Sequence, residues 1–170
     1  MKNFMYSIGK KAIIASKNKI NSKSKNKVLN QYINLIKKNK KLIIKQNSKD
    51  IKLAIKKKLR GNLIDRLTID QKKLNNICAA IKNVRKLKDP IDVTLGKWKR
   101  PNNLLIKRVS IPLGVIGVIF ESRPNVASDI SSLCFKSGNA VILKGGSEAL
   151  NSNKILVSLF RKALKANKID

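Results

Sequence analysis

Two runs decide the fold: Pro112-Leu-Gly-Val-Ile-Gly-Val-Ile-Phe-Glu-Ser-Arg-Pro-Asn-Val126 and Lys136-Ser-Gly-Asn-Ala-Val-Ile-Leu-Lys-Gly-Gly-Ser-Glu-Ala149. Val115 to Phe120 is short, apolar and rich in β-branched residues, the pattern of a strand covered on both faces. Ala140 to Leu143 is a second such run. Between them Val126, Ile130, Leu133 and Cys134 recur at helical spacing and predict the apolar stripe of a crossover helix. Strand, helix and strand over about 30 residues form a βαβ unit with a parallel strand pair. Val157, Leu159, Phe160 and Leu164 lie on a further helix, whose packing surface is expected to be incomplete.

Upstream the pattern is mainly helical. Residues 4–20 place Phe4, Ile8, Ala12 and Ala15 on one side of a helix. From Lys27, Val28, Tyr32, Leu35, Ile36, Leu42 and Ile43 fall near one face, which predicts one amphipathic helix of about five turns. Asn47-Ser48 should interrupt it, with Ser48 capping a shorter helix through Lys58 that Gly61 closes. Thr68-Ile-Asp-Gln71 has capping-box spacing before a stripe of Leu74, Ile77, Cys78, Ile81 and Val84. Asp89-Pro90 stops that helix. Lys99–Asn103 reads as a turn into a half-exposed strand, Leu104–Ser110. The fold class is therefore α/β, with a helical region over residues 1–100 and a partial Rossmann-like region over residues 101–170.

Composition narrows the function classes. A hydrophobic share of 42% excludes wholesale disorder. The 39 Lys and Arg against 9 Asp and Glu give a formal charge of +30, which would suit a polyanion partner. That excess is mostly Lys, spread through the first 110 residues among Asn and Ile, as coding drift toward A/T-rich codons would leave it. Aromatics at 4% leave few rings to stack on bases, so a dedicated nucleic-acid binder is disfavoured. Cys78 and Cys134 lie far apart and His is absent, so neither a disulfide scaffold nor a zinc site is expected. A reducing cytoplasm fits, and no apolar run reaches membrane-spanning length. Both thiols sit on helical apolar stripes, where they read as core and not as nucleophiles.

The strand ends hold the candidate site. In open α/β sheets ligands gather beyond the carboxyl ends of strands, near helix N-termini. Pro124 suits a first helical turn, and Asn125 beside it offers an amide donor for a developing oxyanion, or equally a plain loop with an Asn cap. Lys144-Gly-Gly-Ser-Glu148 falls where dinucleotide folds read the adenosine ribose. There Lys144 and Ser147 suit a phosphate, and Glu148 a hydroxyl. Gly145 and Gly146 would admit a ligand close to the backbone. Ordinary loop chemistry accounts for the same residues. A shared cleft should hold both Asn125 and Lys144.

These two long motifs closely resemble the gamma-glutamyl phosphate reductase family, a branch of the aldehyde dehydrogenase superfamily. Leu63-Ile-Asp-Arg-Leu67, Leu87-Lys-Asp-Pro90 and Trp98-Lys-Arg-Pro-Asn102 resemble further family segments in the family's order. The resemblance runs from about residue 8 onward. It implies a Rossmann-like unit of the aldehyde dehydrogenase type and an NADPH-dependent reduction of L-glutamyl 5-phosphate to glutamate 5-semialdehyde and phosphate, in proline biosynthesis. It implies Asn125 as the oxyanion-hole donor, and Lys144, Ser147 and Glu148 as the contacts to the NADP(H) adenosine ribose or its phosphate. The family's nucleophilic Cys belongs to a later segment with no counterpart among these residues. A truncated chain, inactive alone, is therefore expected: a split or decaying gene product, or half of an enzyme completed by a second polypeptide. Half a sheet would also leave an open edge and an uncovered apolar face, hence poor solubility. The alternative is a non-catalytic basic protein contacting nucleic acid or an acidic partner.

Overall fold

A computed structural model describes residues 2–169. Helices α1 (Lys2–Ser16), α2 (Ser22–Lys38), α3 (Lys40–Lys56), α4 (Gly61–Leu67) and α5 (Gln71–Lys86) come first. Strands β1 (Thr94–Lys99) and β2 (Leu105–Val109) follow as an antiparallel pair. Then β3 (Val115–Phe120), α6 (Pro124–Lys136), β4 (Ala140–Gly145) and α7 (Leu150–Ala166) complete the described chain.

The βαβ unit forms as its pattern requires. β3 and β4 pair in parallel, in register from Val115 opposite Ala140 to Phe120 opposite Gly145. Pro124 occupies the first turn of α6, where its missing N–H costs nothing. β3 is not covered on both faces, however. Ile119 is 79% and the preceding Leu113 86% exposed, because among the described residues α1 and α6 pack chiefly against β4 and cover β3 only slightly. The buried side of α6 also differs from the expected stripe: Leu133 is exposed, while Ala127, Ser128, Ser131, Ser132, Cys134 and Phe135 are buried. Serines can line this face because a hydroxyl can bond back along its own helix, as Ser131 does to the Ala127 carbonyl at 2.6 Å.

The main core joins both halves of the chain. Val28, Leu29, Tyr32, Ile33 and Ile36 of α2 meet Leu74, Ile77 and Ile81 of α5, Phe135 of α6, and Leu156, Leu159 and Phe160 of α7. Phe160 meets Tyr32 and Phe135 edge-on, with centroids 5.0 and 5.7 Å apart. Leu159 and Phe160 are buried whereas Val157 and Leu164 are half-buried, so the expected gap in the packing of α7 is confined to the latter two; α2, α3 and α6 cover the rest. Tyr32 Oη lies 2.7 Å from Ser128 Oγ and donates to the Leu156 carbonyl at 3.2 Å, which satisfies it inside the core. Burial pushes its phenol far above the ordinary range.

Helix boundaries in the lead-in fall elsewhere than the sequence pattern places them. The long helix breaks at Asn39, whose amide donates to the Leu35 carbonyl at 2.7 Å, and Asn47 and Ser48 lie inside α3. Ser48 is no cap: its hydroxyl donates back to Ile44 at 2.9 Å. After the break Leu42 falls on the exposed side. Gly61 opens α4 and does not close α3. Asp70 caps α5, accepting from Lys73 N at 2.6 Å, while the Thr68 hydroxyl donates to Ile64. Phe4 is exposed, whereas Ile8, Ala12 and Ala15 are half-buried. β1 was not anticipated; it pairs with the expected β2.

Candidate functional site

β3 and β4 end side by side, and their parallel register sets Phe120 opposite Gly145. Two cavities lie around these ends. One, of about 420 Å³, is lined by Phe120, Ala127, Lys144, Asn153, Lys154 and Arg161 among others. The second, of about 310 Å³, lies between α5 and α6, with Lys73, Asn76, Asn125 and Asp129 in its wall. Asn125 and Lys144 thus do not share a cleft. The first turn of α6 stands between them, with Asn125 in the wall of one cavity and Ala127 in that of the other.

The larger cavity is electropositive. Lys144, Lys154 and Arg161 line it and no Asp or Glu does. Leu150, Asn153, Lys154, Val157, Ser158 and Arg161 recur every three or four residues, so α7 presents one continuous stripe to it. Asn153 Oδ1 is buried there without a partner among the described residues. This donor set suits a phosphorylated, hydrogen-bonding ligand such as a nucleotide. Sequence reasoning missed Lys154 and Arg161, which carry no motif of their own in a chain with 39 Lys and Arg.

The glycines serve packing within the chain. A Cβ on Gly145 would collide with the Asn153 amide and the Phe120 ring, and one on Gly146 would strike the Glu148 carboxylate at 2.6 Å. Both glycines also line the larger cavity, so their backbone borders the space open to a ligand. Ser147 donates to Glu148 Oε2 at 3.2 Å. Glu148's own backbone N–H holds its carboxyl below the usual range, helped by the Ser122 and Ser147 hydroxyls and Lys57, against partial burial.

In the smaller cavity Asn125 Nδ2 donates to Asp129 Oδ2 at 3.0 Å, so the amide is engaged within its own helix. Asp129 Oδ1 is buried with no partner among the described residues. Desolvation pushes this carboxyl up, only partly offset by Asn125. Sequence reasoning missed Asp129, whose acidic position on α6 carries no motif of its own. Neither cysteine is a nucleophile in this setting. Cys78 and Cys134 are buried in the helical core, and burial pushes both thiols up. Among the described residues no cluster of three or more His, Cys, Asp or Glu could hold a metal, and no helix is long and apolar enough to cross a membrane.

No protein-family model matches the chain. The chain is 46% identical to the gamma-glutamyl phosphate reductase of Hydrogenobaculum sp. across 91% of its own length and 35% of the relative's. The reductase of Carboxydothermus hydrogenoformans is 43% identical across 95% of the chain and 40% of the relative. The crystal structure of the Thermotoga maritima gamma-glutamyl phosphate reductase superposes with a TM-score of 0.88 and 38% identity, covering 94% of this chain and 38% of that one. A probable aldehyde dehydrogenase from Listeria monocytogenes superposes with a TM-score of 0.65 at 15% identity, a likeness of fold alone. The chain thus spans about two fifths of the length of the relatives it matches. These matches lend nothing to the reading as a non-catalytic basic protein. Along nearly all of its length the chain is similar to gamma-glutamyl phosphate reductases, as the counterpart of their N-terminal portion.

Proposed function

We propose that the chain serves an NADPH-dependent reduction of L-glutamyl 5-phosphate to glutamate 5-semialdehyde and phosphate, in the cytoplasm, with residues 101–170 as its nucleotide-binding region and residues 1–100 as the helical region packed against it. The observation that carries this reading is the acid-free cavity of Lys144, Lys154 and Arg161 beside the carboxyl ends of two parallel strands. Bound NADPH would supply the hydride that converts an acyl group to an aldehyde. Lys144 would meet the adenosine-side phosphate, and Ser147 and Glu148, on the turn after β4, would meet the ribose. On the other side of the α6 N-terminus, Asn125 would release Asp129 and donate to the acyl oxygen as negative charge develops there.

No acyl-transfer step is assigned to Cys78 or Cys134, since both thiols are buried and held protonated. The nucleophile would come from polypeptide outside these 170 residues, including a separate second chain. Fluorescence titration tests the cofactor half of the reading. The chain should bind NADPH more tightly than NADH, and Lys144→Ala should erase that preference. Equal affinity for the two nucleotides, or binding of neither, would overturn it.

A further inference from the structure

We propose that Asp50 is a positioning residue for the nucleotide loop, acting through the start of α7 without touching ligand; this rests on the cofactor reading above. Asp50 lies on α3 and is only 1% exposed. Its Oδ1 accepts from the backbone N–H and side-chain amide of Asn151 at 3.1 and 2.8 Å. Its Oδ2 accepts from the backbone N–H and hydroxyl of Ser152 at 2.7 and 2.6 Å. Asn151 and Ser152 open α7, directly after the 3-10 turn Ser147–Ala149 that follows Lys144 and the two glycines.

A carboxylate this deep is costly to desolvate, and no ion pair to Asp50 is found among the described residues. Four donated hydrogen bonds and the positive end of α7 offset that cost. Position Ala149 cannot cap α7 by its own side chain, so the cap comes from another helix. Asn47, nearly one turn earlier on α3, adds to the clamp. Its amide donates to Ser152 Oγ at 3.0 Å and to the Leu67 carbonyl at 2.8 Å, and its oxygen accepts from Ile69 N at 2.7 Å. Ala149 itself is buried against Ala54 and Leu67.

Two consequences follow for the loop. Its downstream end is fixed to α3 by hydrogen bonds and by contact, so Lys144, Ser147 and Glu148 are held before any ligand arrives. Two of the N–H groups that open α7, those of Asn151 and Ser152, are already taken by Asp50, which leaves a poor berth for phosphate there. A nucleotide phosphate must then bind through the Lys144, Lys154 and Arg161 side chains, displaced from the helix axis.

Asp50→Asn tests this, because it keeps the side chain's size but turns one acceptor oxygen into an amide NH2 group facing donors. NADPH should bind about tenfold more weakly or worse, as when a supporting residue behind a site is lost. Far-UV circular dichroism should stay unchanged. Amide exchange should quicken at Ser147–Ser152 and stay slow in α2. Ser152→Ala should shift both readouts the same way by less, and decides the matter should Asp50→Asn not fold. Wild-type affinity together with wild-type exchange at those amides would overturn the proposal. So would exchange that quickens evenly through the chain, since that marks Asp50 as a general stabiliser. Failure of the unaltered chain to bind NADPH would remove the cofactor reading instead, and the exchange pattern alone would then decide whether Asp50 sets the loop.

Discussion

The helical core and the β3–β4 sheet are both built from apolar residues, yet they bury them very differently. Val28, Leu29, Tyr32, Ile36, Leu74, Ile81 and Leu156 are wholly enclosed, each by side chains from more than one helix. The sheet has two strands, each with one unpaired edge among the described residues, and Ile119 and Leu113 stand largely in solvent. The two residue sets do not differ in kind. They differ in how many neighbours the described chain supplies: five helices converge on the core, whereas α1 is the one helix in more than slight contact with β3. Burial, and with it stability, follows the number of converging elements more than the apolar content of any one of them.

That contrast can be broken by one pair of substitutions. Leu156→Ala removes a fully enclosed side chain from where α7 meets α2 and should cost about 2 to 5 kcal/mol, the range for core cavities. Ile119→Ala removes more exposed surface than packing and should stay within about 0.5 kcal/mol. Urea unfolding of the two variants reads the difference directly. Similar losses at both sites would mean that the sheet is as well supported as the helices.

The same contrast explains what could be read from the sequence. The βαβ unit was legible because period and length agree at Val115–Phe120 and Ala140–Leu143, and such agreement is local. The stripe Leu74, Ile77, Cys78 and Ile81 was legible for the same reason. The α2–α3 break was not, because Asn39 and Asn47 look alike in sequence. Asn39 turns its amide to its own helix, while Asn47 finds Leu67, Ile69 and Ser152, two of them around 20 residues away and one over 100. Only the tertiary partners decide which of them interrupts a helix. The site was legible in part. Lys144 could be placed at a strand end by motif, but its companions Lys154 and Arg161 required the phase of α7 against the sheet. The separation of Asn125 from Lys144 required knowing that α6 begins between the two cavities.

A smaller effect sharpens the comparison at the seam between the helices and the sheet. Lys25 of α2 is 2% exposed and gives Asp89 two hydrogen bonds, at 2.9 and 3.0 Å. Lys136, at the end of α6, is also buried and, among the described residues, donates to the Asn26 amide oxygen at 2.8 Å and the Arg85 carbonyl at 3.2 Å but to no carboxylate. Desolvation holds this ammonium below its usual range, with Asp89 opposing and Lys25 assisting. Asp89→Ala would leave two buried ammonium groups without a carboxylate. The loss should be about 1.5 to 3 kcal/mol, the scale of hydrogen bonds to charged groups, because Asp89 itself keeps some contact with water. Pairing it with Lys25→Met in a double-mutant cycle should recover part of the loss. An additive cycle would show that the pair does not couple the two regions.

The smallest effect is a slope and not a midpoint. Asp129 faces the cavity beside Asn125 and has one oxygen buried without a partner among the described residues, and desolvation makes its folded carboxyl titrate above its unfolded value of 3.8. A raised folded pKa means that the native chain holds its proton more firmly than the unfolded one. The resulting stability is complete below the unfolded pKa and is lost as pH rises through the folded one. Glu148 runs the other way: its lowered folded pKa gives stability above the unfolded value of 4.5 that is lost as pH falls. Asp129→Asn removes the first titration and leaves the second. Across the acid range, urea midpoints of the variant should therefore gain on those of the unaltered chain as pH rises, and level off once Asp129 is fully ionised. Parallel curves would show that Asp129 is solvated after all, and that the cavity beside Asn125 is as open to water as the outer face of β3.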